Sequence, residues 1–221
     1  MLLQALNEFY KRATREGLIE EAAFVKKYIR WQIPLDLNGN LQGIGLIETP
    51  ETKDEKGKRQ RKEFTVPRTA RAKKGREAEF LADGIDSVFG LNPDVDNPKD
   101  EDMLAKKHTD FWRQIEECFA ETNSPLLSAV LKFRENFQKT GTPEFLRWGV
   151  LKEGEKPCWL VKTALGTEEK FKADNFTFVV DGEFLPEIEE FRDFWRRCYD
   201  KEIEAKSKDA EIGVCLVSGE E

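Results

Sequence analysis

The chain has 221 residues, a formal net charge of −7 and 36% charged side chains. This length suggests one large domain or two small ones, and no apolar run approaches the roughly 18–20 residues that a membrane-spanning helix needs. Sixteen Phe and five Trp supply the bulk for a substantial core.

Leu2, Leu3, Leu6, Phe9, Tyr10 and Ala13 recur at helical spacing, so residues 1–14 predict an amphipathic helix. That stretch has no basic n-region and no small-residue cleavage site, and so does not read as a signal peptide. Residues 28–35, YIRWQIPL, read as a strand, followed by DLNGNL and then QGIGLIE. Asn38-Gly39 predicts a type I′ hairpin turn, whose two central positions both need positive φ. Residues 51–62 read as a polar loop, EFTVP as a short strand, and RTARAKKGR as a second loop. Phe80, Leu81, Val88, Phe89 and Leu91 are candidates for burial, and residues 92–102 form an exposed acidic turn.

Three helices follow. The first spans 101–121, with Phe111, Trp112, Ile115 and Phe119 on one face. The second starts at Ser124-Pro125, a favourable N-cap and first-turn pair, runs to about Lys139 and stops near Gly141. The third spans about 186–206, with Ile188, Phe191, Trp195 and Tyr199 as its stripe. Strands are expected at 158–164 and 176–181, with Asp181-Gly182 as a turn, and in the terminal GVCLVSGE. There are no internal repeats and no βαβ rhythm. Strands in pairs and helices in blocks predict an α+β fold with antiparallel sheets and hairpins, a helical block at about 101–140 and a late amphipathic helix at about 186–206. By parts, this gives a β-rich region with basic loops (1–100), a helical segment (101–145), and strands plus a helix (146–221).

The strongest chemical signal lies between residues 53 and 76. Eleven cations stand there against three acids, leaving the stretch at +8 and the rest of the chain at −15. A concentration of charge opposite to that of the whole chain points to a polyanionic partner, duplex DNA or RNA first. The candidate DNA-binding residues are Lys56, Lys58, Arg59, Gln60, Arg61, Lys62, Arg68, Arg71, Lys73, Lys74, Gly75 and Arg76. Arginines can bind phosphate or guanine in a bidentate manner, and Gln60 can pair with an adenine edge. Gly57 and Gly75 would let backbone approach a duplex closely. The alternative is a solvated loop without a partner.

Other chemistry is poorly represented. The four cysteines, Cys118, Cys158, Cys198 and Cys215, form no CxxC pair and read as reduced thiols. The single histidine, His108, leaves no His-rich metal site and reads as a packing residue of a helix. Asp94, Asp96, Asp100, Glu101 and Asp102 could be taken for a metal-dependent nuclease site, but they lack the EF-hand pattern and fit a turn leading into a helix N-terminus. No phosphate-binding G-x-x-x-x-G-K-[ST] loop occurs. The stripe Trp112, Phe119, Phe133 and Phe137 reads as core rather than as a base-stacking platform. No catalytic residue, metal or cofactor is expected.

Several segments, in order, resemble the large subunit of the type I-C CRISPR surveillance complex, Cascade. They are MLLQALNEFYKRA, IRWQIPLDLNGNLQGI, VPRTARAKKGREAEFLADGIDSVFGL, DNFTFVVDGEF and CLVSGE. Members of that family continue past the last of these, so the resemblance implies the N-terminal part of such a subunit without its C-terminal helical domain. It implies a non-catalytic, cytoplasmic protein that reads the PAM flank of double-stranded target DNA and helps open the duplex. The implied partners are that DNA, the crRNA 5′ handle and other Cascade backbone subunits. A helicase-nuclease would be recruited mainly through the missing part. Where the family commonly has R-T-S-G-x-x-x-N-F-L-W-D-N, this chain has AKKGREAEFLADG. Gly75, Phe80, Leu81 and Asp83 agree, while Glu79, Ala82 and Gly84 depart. Asn both donates and accepts, whereas Glu only accepts, so the flank read here could differ. Gln60, Arg71, Lys74 and Glu79 are the candidate flank readers. The competing expectation is an interaction scaffold that contacts partner subunits and crRNA without reading DNA.

Overall fold

The structure is a computed structural model and describes residues 2–16, 21–53, 59–69, 78–93, 100–172 and 174–207. The chain begins with helix α1 (Leu2–Arg15) and strands β1 (Phe24–Tyr28), β2 (Trp31–Leu35), β3 (Ile47–Glu48), β4 (Glu51–Lys53), β5 (Arg59–Arg61), β6 (Glu63–Pro67) and β7 (Ala82–Gly84). Helices α2 (Ile85–Phe89), α3 (Glu101–Thr122) and α4 (Pro125–Thr140) follow. Strands β8 (Leu146–Gly149), β9 (Cys158–Lys162), β10 (Glu168–Lys170), β11 (Asn175–Val180) and β12 (Glu183–Phe184) come next, then a short 3-10 turn and α5 (Glu189–Ser207). The fold is α+β, with the predicted helical block and late helix in place. The terminal GVCLVSGE segment and Cys215 lie outside the described residues.

β11 is the hub. Phe176, Thr177 and Phe178 on it are all fully buried, which is why its sequence is a nearly continuous apolar run rather than an alternating one. The Thr177 hydroxyl donates to the Leu81 carbonyl at 2.8 Å, so its burial leaves no orphaned polar group. β2 lies beside β11 in parallel, with Trp31 opposite Phe176 and Leu35 opposite Val180. β12 and β7 pair with β11 in the antiparallel sense, and β3 extends the sheet beyond β2. Pairing between chain neighbours predicts antiparallel sheet throughout. The central pair is parallel because β2 and β11 meet through the core and not through a turn. A second, antiparallel sheet of order β10-β9-β8 joins the first through a parallel bridge, Leu46 to Thr163.

α3 and α4 supply the aromatic layer over β11. The rings of Phe89, Phe111, Trp112, Phe133 and Phe137 reach Phe176, Phe178 or one another with centroids 5.2 to 6.4 Å apart. The stripe read as core is core, and residues from all three sequence regions share it. The acidic run does start a helix: the Asp100 carboxylate accepts from the N–H groups of Asp102 and Met103 at 2.9 and 3.2 Å. Asp94 and Asp96 lie outside the described residues. Ser124 precedes α4 as expected, but its side chain makes no capping bond.

Two turns depart from the simple reading. At Asn38-Gly39 only Gly39 has positive φ, so no type I′ turn forms. The Asp36 carboxylate instead accepts from the backbone N–H groups of Asn38 and Asn40, at 2.9 and 2.8 Å. Gly39 is also required by packing, because a Cβ there would lie 2.6 Å from the Ala129 carbonyl oxygen on α4. The type I′ signature appears at Asp181-Gly182, where both φ values are positive between β11 and β12. The predicted polar loop over 51–62 is, where described, a two-stranded ribbon of β4 and β5.

α2 has five residues, too few to be helical alone. Successive turns of α3 hold it. Lys107 Nζ reaches Asp86 at 3.0 Å and Asp83 at 3.5 Å. His108 Nδ1 lies 2.9 Å from the Ser87 carbonyl, and the Trp112 indole donates to the Val88 carbonyl at 3.1 Å. Burial lowers the His108 pKa, so the neutral ring donates through Nδ1. His108 is thus a packing residue. Burial opposes the charge of Lys107, but Asp83 and Asp86 outweigh it and hold the ammonium above its ordinary range. Cys118, Cys158 and Cys198 are free thiols, and burial pushes the Cys118 thiol up to about 12.

Replacing Phe178 with Ala is expected to cost about 3–5 kcal/mol in urea unfolding. Leu165→Ala, at a side chain 89% exposed, should stay within about 0.5 kcal/mol. Lys107→Met leaves Asp83 and Asp86 buried without this cation and should cost on the order of 3 kcal/mol at neutral pH. Because the folded pKa of Lys107 is raised, its stabilisation is complete below the unfolded value near 10.5 and is lost as pH rises through the folded value. The difference between wild type and Lys107→Met should therefore be flat across neutral pH and shrink only in strong alkali.

Candidate nucleic-acid interface

β6 organises the basic stretch. It pairs antiparallel with β1, Phe24 opposite Pro67 and Tyr28 opposite Glu63. Phe64 and Val66 of β6 turn inward to a small cluster with Ile29 and Ala82. This burial pins the strand although cations flank both its ends. At its start, Lys62 is exposed, with its ammonium 4.8 Å from the centroid of the Phe64 ring. Phe64 in turn stacks on Phe184, centroids 4.6 Å apart. Before Lys62, β5 holds Arg59, Gln60 and Arg61 in register with Lys53, Thr52 and Glu51 of β4. Arg68 follows β6 directly and is exposed. Lys62 and Arg68 are six residues apart along an extended strand, about 20 Å at roughly 3.3 Å per residue.

Lys56, Gly57, Lys58, Arg71, Lys73, Lys74, Gly75 and Arg76 lie outside the described residues. The ends of the segment 70–77 that carries the last five are described, and both are anchored. On the entry side the Arg68 N–H donates to the Ala23 carbonyl at 2.9 Å, and the Arg68 carbonyl accepts from the Trp195 indole at 3.1 Å. On the exit side the Ala78 N–H donates to Asp110 Oδ2 at 3.1 Å, and its carbonyl accepts from Gln114 Nε2 at 3.0 Å. Phe80 is fully buried and stacks on Trp195, centroids 5.3 Å apart and planes 9° from parallel.

Glu79 differs from the reading that made it a candidate flank reader. Its residue is 5% exposed and its carboxylate is ion-paired with Lys27. A carboxylate so buried needs a paired cation, and β1 supplies it. Its N–H donates to Asp83 Oδ2 at 3.0 Å. Asp83 also accepts from the Ser87 hydroxyl and the Gly84 N–H, at 2.8 and 2.7 Å. Phe80, Leu81 and Asp83, the positions that agree with the family pattern, therefore build the exit side of the basic segment rather than a contact surface. Leu81 holds a φ of 61°, a conformation that non-glycine residues rarely adopt.

Trp195, Gln114, Asp110 and Lys27 escaped the sequence reading as parts of this site. Their partners lie far away in the chain, and no local spacing marks them. A buried indole does need an acceptor, but only the fold shows that the acceptor is the Arg68 carbonyl.

Elsewhere, an open groove of about 780 Å³ runs between α3 and α5, with Arg113 and Arg197 among its acids. Among the described residues no group of three His, Cys, Asp or Glu side chains could hold a metal ion, and no helix is long and apolar enough to cross a membrane.

A family model described as CRISPR-associated protein (Cas_Csd1) matches residues 6–221. No curated protein matches the chain. The family match covers the β6 ribbon, the anchored ends of the basic segment and the β11 hub alike, and the chain belongs to the Cas_Csd1 family of CRISPR-associated proteins, the type I-C Cascade family that its sequence resembles.

Proposed function

We propose that this chain is the DNA-reading part of a type I-C Cascade large subunit. It would bind the PAM flank of double-stranded target DNA and help open the duplex for crRNA pairing, without being an enzyme. The observation that carries the reading is one strand, β6, with basic residues at both of its ends and buried packing along its length. About 20 Å of extended backbone exceeds the roughly 12 Å width of a major groove, so the two basic ends can engage phosphates on either side of it. Binding begins as electrostatic capture by Lys62, Arg68 and the neighbouring cations. A few side chains of the basic stretch then test the flank, and distortion of the held duplex lets the guide begin pairing. Phosphate contacts would set affinity for all DNA, and base contacts would set flank preference. The crRNA 5′ handle, other backbone subunits and a helicase-nuclease are the partners such a subunit would have in the cytoplasm.

The experiment is duplex binding across a salt series with randomised flanking trinucleotides, comparing wild type with Lys58/Arg59/Arg61/Lys62→Ala. Wild type should bind with steep salt dependence and a flank preference. In the variant, the slope of log affinity against log salt should become shallower by about 0.9 for each phosphate that is no longer neutralised. Absence of duplex binding by wild type even at low salt would sink the DNA-reading proposal and favour the scaffold role. In that case the same four substitutions should instead impair assembly with crRNA and partner subunits.

A further inference from the structure

Trp195 lies on α5, far in sequence from the basic stretch, yet it touches both ends of segment 70–77. Its indole N–H is 3.1 Å from the carbonyls of Ala23 and Arg68. The Arg68 peptide is thus held on both sides, its own N–H bonded to Ala23 and its carbonyl to Trp195. The face of the same indole stacks on Phe80 just beyond the exit end, and Gln114 and Asp110 hold Ala78 one helix away. Trp195 is itself 4% exposed and is held in the main core. The backbone that presents the exposed Arg68 side chain is therefore fixed by a core residue, as is the separation between the two ends of the segment.

We infer that Trp195 is a positioning residue for flank recognition, presetting the backbone at Arg68 and the exit end at Phe80 before DNA arrives. This rests on the DNA-reading proposal and deepens it. Charge alone attracts any duplex, because a cation on a loose tether still neutralises phosphate. Discrimination among flanks requires donors held in one geometry against base edges, and freedom at the ends of the segment dissipates it. Loss of the Trp195 bond is thus expected to spare affinity and damage selectivity. A merely structural side chain would lower both together through loss of folded protein.

The test uses Trp195→Phe, which keeps a ring against Phe80 and removes only the indole N–H. Gln114→Met serves as a second variant, removing the donor to Ala78 at similar size. Hydrogen exchange is followed in peptides covering Arg68–Thr69 and Ala78–Phe80, and affinity is measured for preferred, disfavoured and random flanks. Both variants should remain folded by thermal unfolding and bind random-flank duplex within about twofold of wild type. Exchange at the end they release should rise severalfold, and the ratio of preferred to disfavoured flank should fall at least fivefold. An unchanged ratio in a folded variant, or equal loss of affinity on all flanks, overturns the inference. Faster exchange at these ends in a protein whose wild type binds no duplex overturns the DNA reading, and the recognition role with it, while leaving the anchoring intact.

Discussion

The structure depends on β11 being buried on both faces. A strand so placed has to be covered above and below, and every polar group it carries inward has to be answered. Coverage comes from α3, α4 and the aromatic side chains they bring to Phe176 and Phe178. The answer to its polar side chain comes from the Leu81 carbonyl, which takes the Thr177 hydroxyl. Leu81 therefore stands where β7 can pair with β11, and β7 leads directly into α2. The exit end of the basic segment inherits its position from this arrangement, because residues 78–84 run from the segment to the hub.

Charge pairing explains how a chain with a net charge of −7 can present a basic edge. Many acids on this side of the fold are engaged by cations of the framework. Arg30 takes Glu48 at 2.9 Å, Glu169 at 2.5 Å and Asp174 at 3.1 Å, linking three separate stretches of chain while lying over the Trp31 ring. Arg196 takes Glu21 and packs with Arg192 on the face of Phe24, at the other end of β1. Lys27 and Lys107 absorb Glu79, Asp83 and Asp86 below the exit end. Lys62 and Arg68 stay exposed at the two ends of β6. A buried ion pair is weak evidence for stability but strong evidence that its members are not free to bind elsewhere. That is the physical reason Glu79 is a framework residue.

Long periodic segments were readable without a structure. The helices over 101–122, 125–140 and 189–207 follow from aromatic spacing and from Asp100, Pro125 and Gly141 at their limits. The strand EFTVP and the Asp181-Gly182 turn follow from β-formers and turn chemistry. The short elements were not readable. β7, α2, β8 and β10 have three to five residues each and no periodicity of their own, and they form because the core holds them. At Asn38-Gly39 a strong local signal was overruled by the Asp36 carboxylate and by the closeness of α4.

By itself the sequence determined where the positive charge lies, which faces of the long helices are apolar, and, through a series of short motifs in order, the family. These are properties of composition and spacing within one segment. The tertiary structure decided that β2 and β11 run parallel, that Glu79 is paired inside, and that Trp195 reaches both ends of the basic segment. Each of these joins residues far apart in the chain. Nothing local encodes such pairings, because they arise when buried hydrogen-bonding and charged groups seek partners within one closed core.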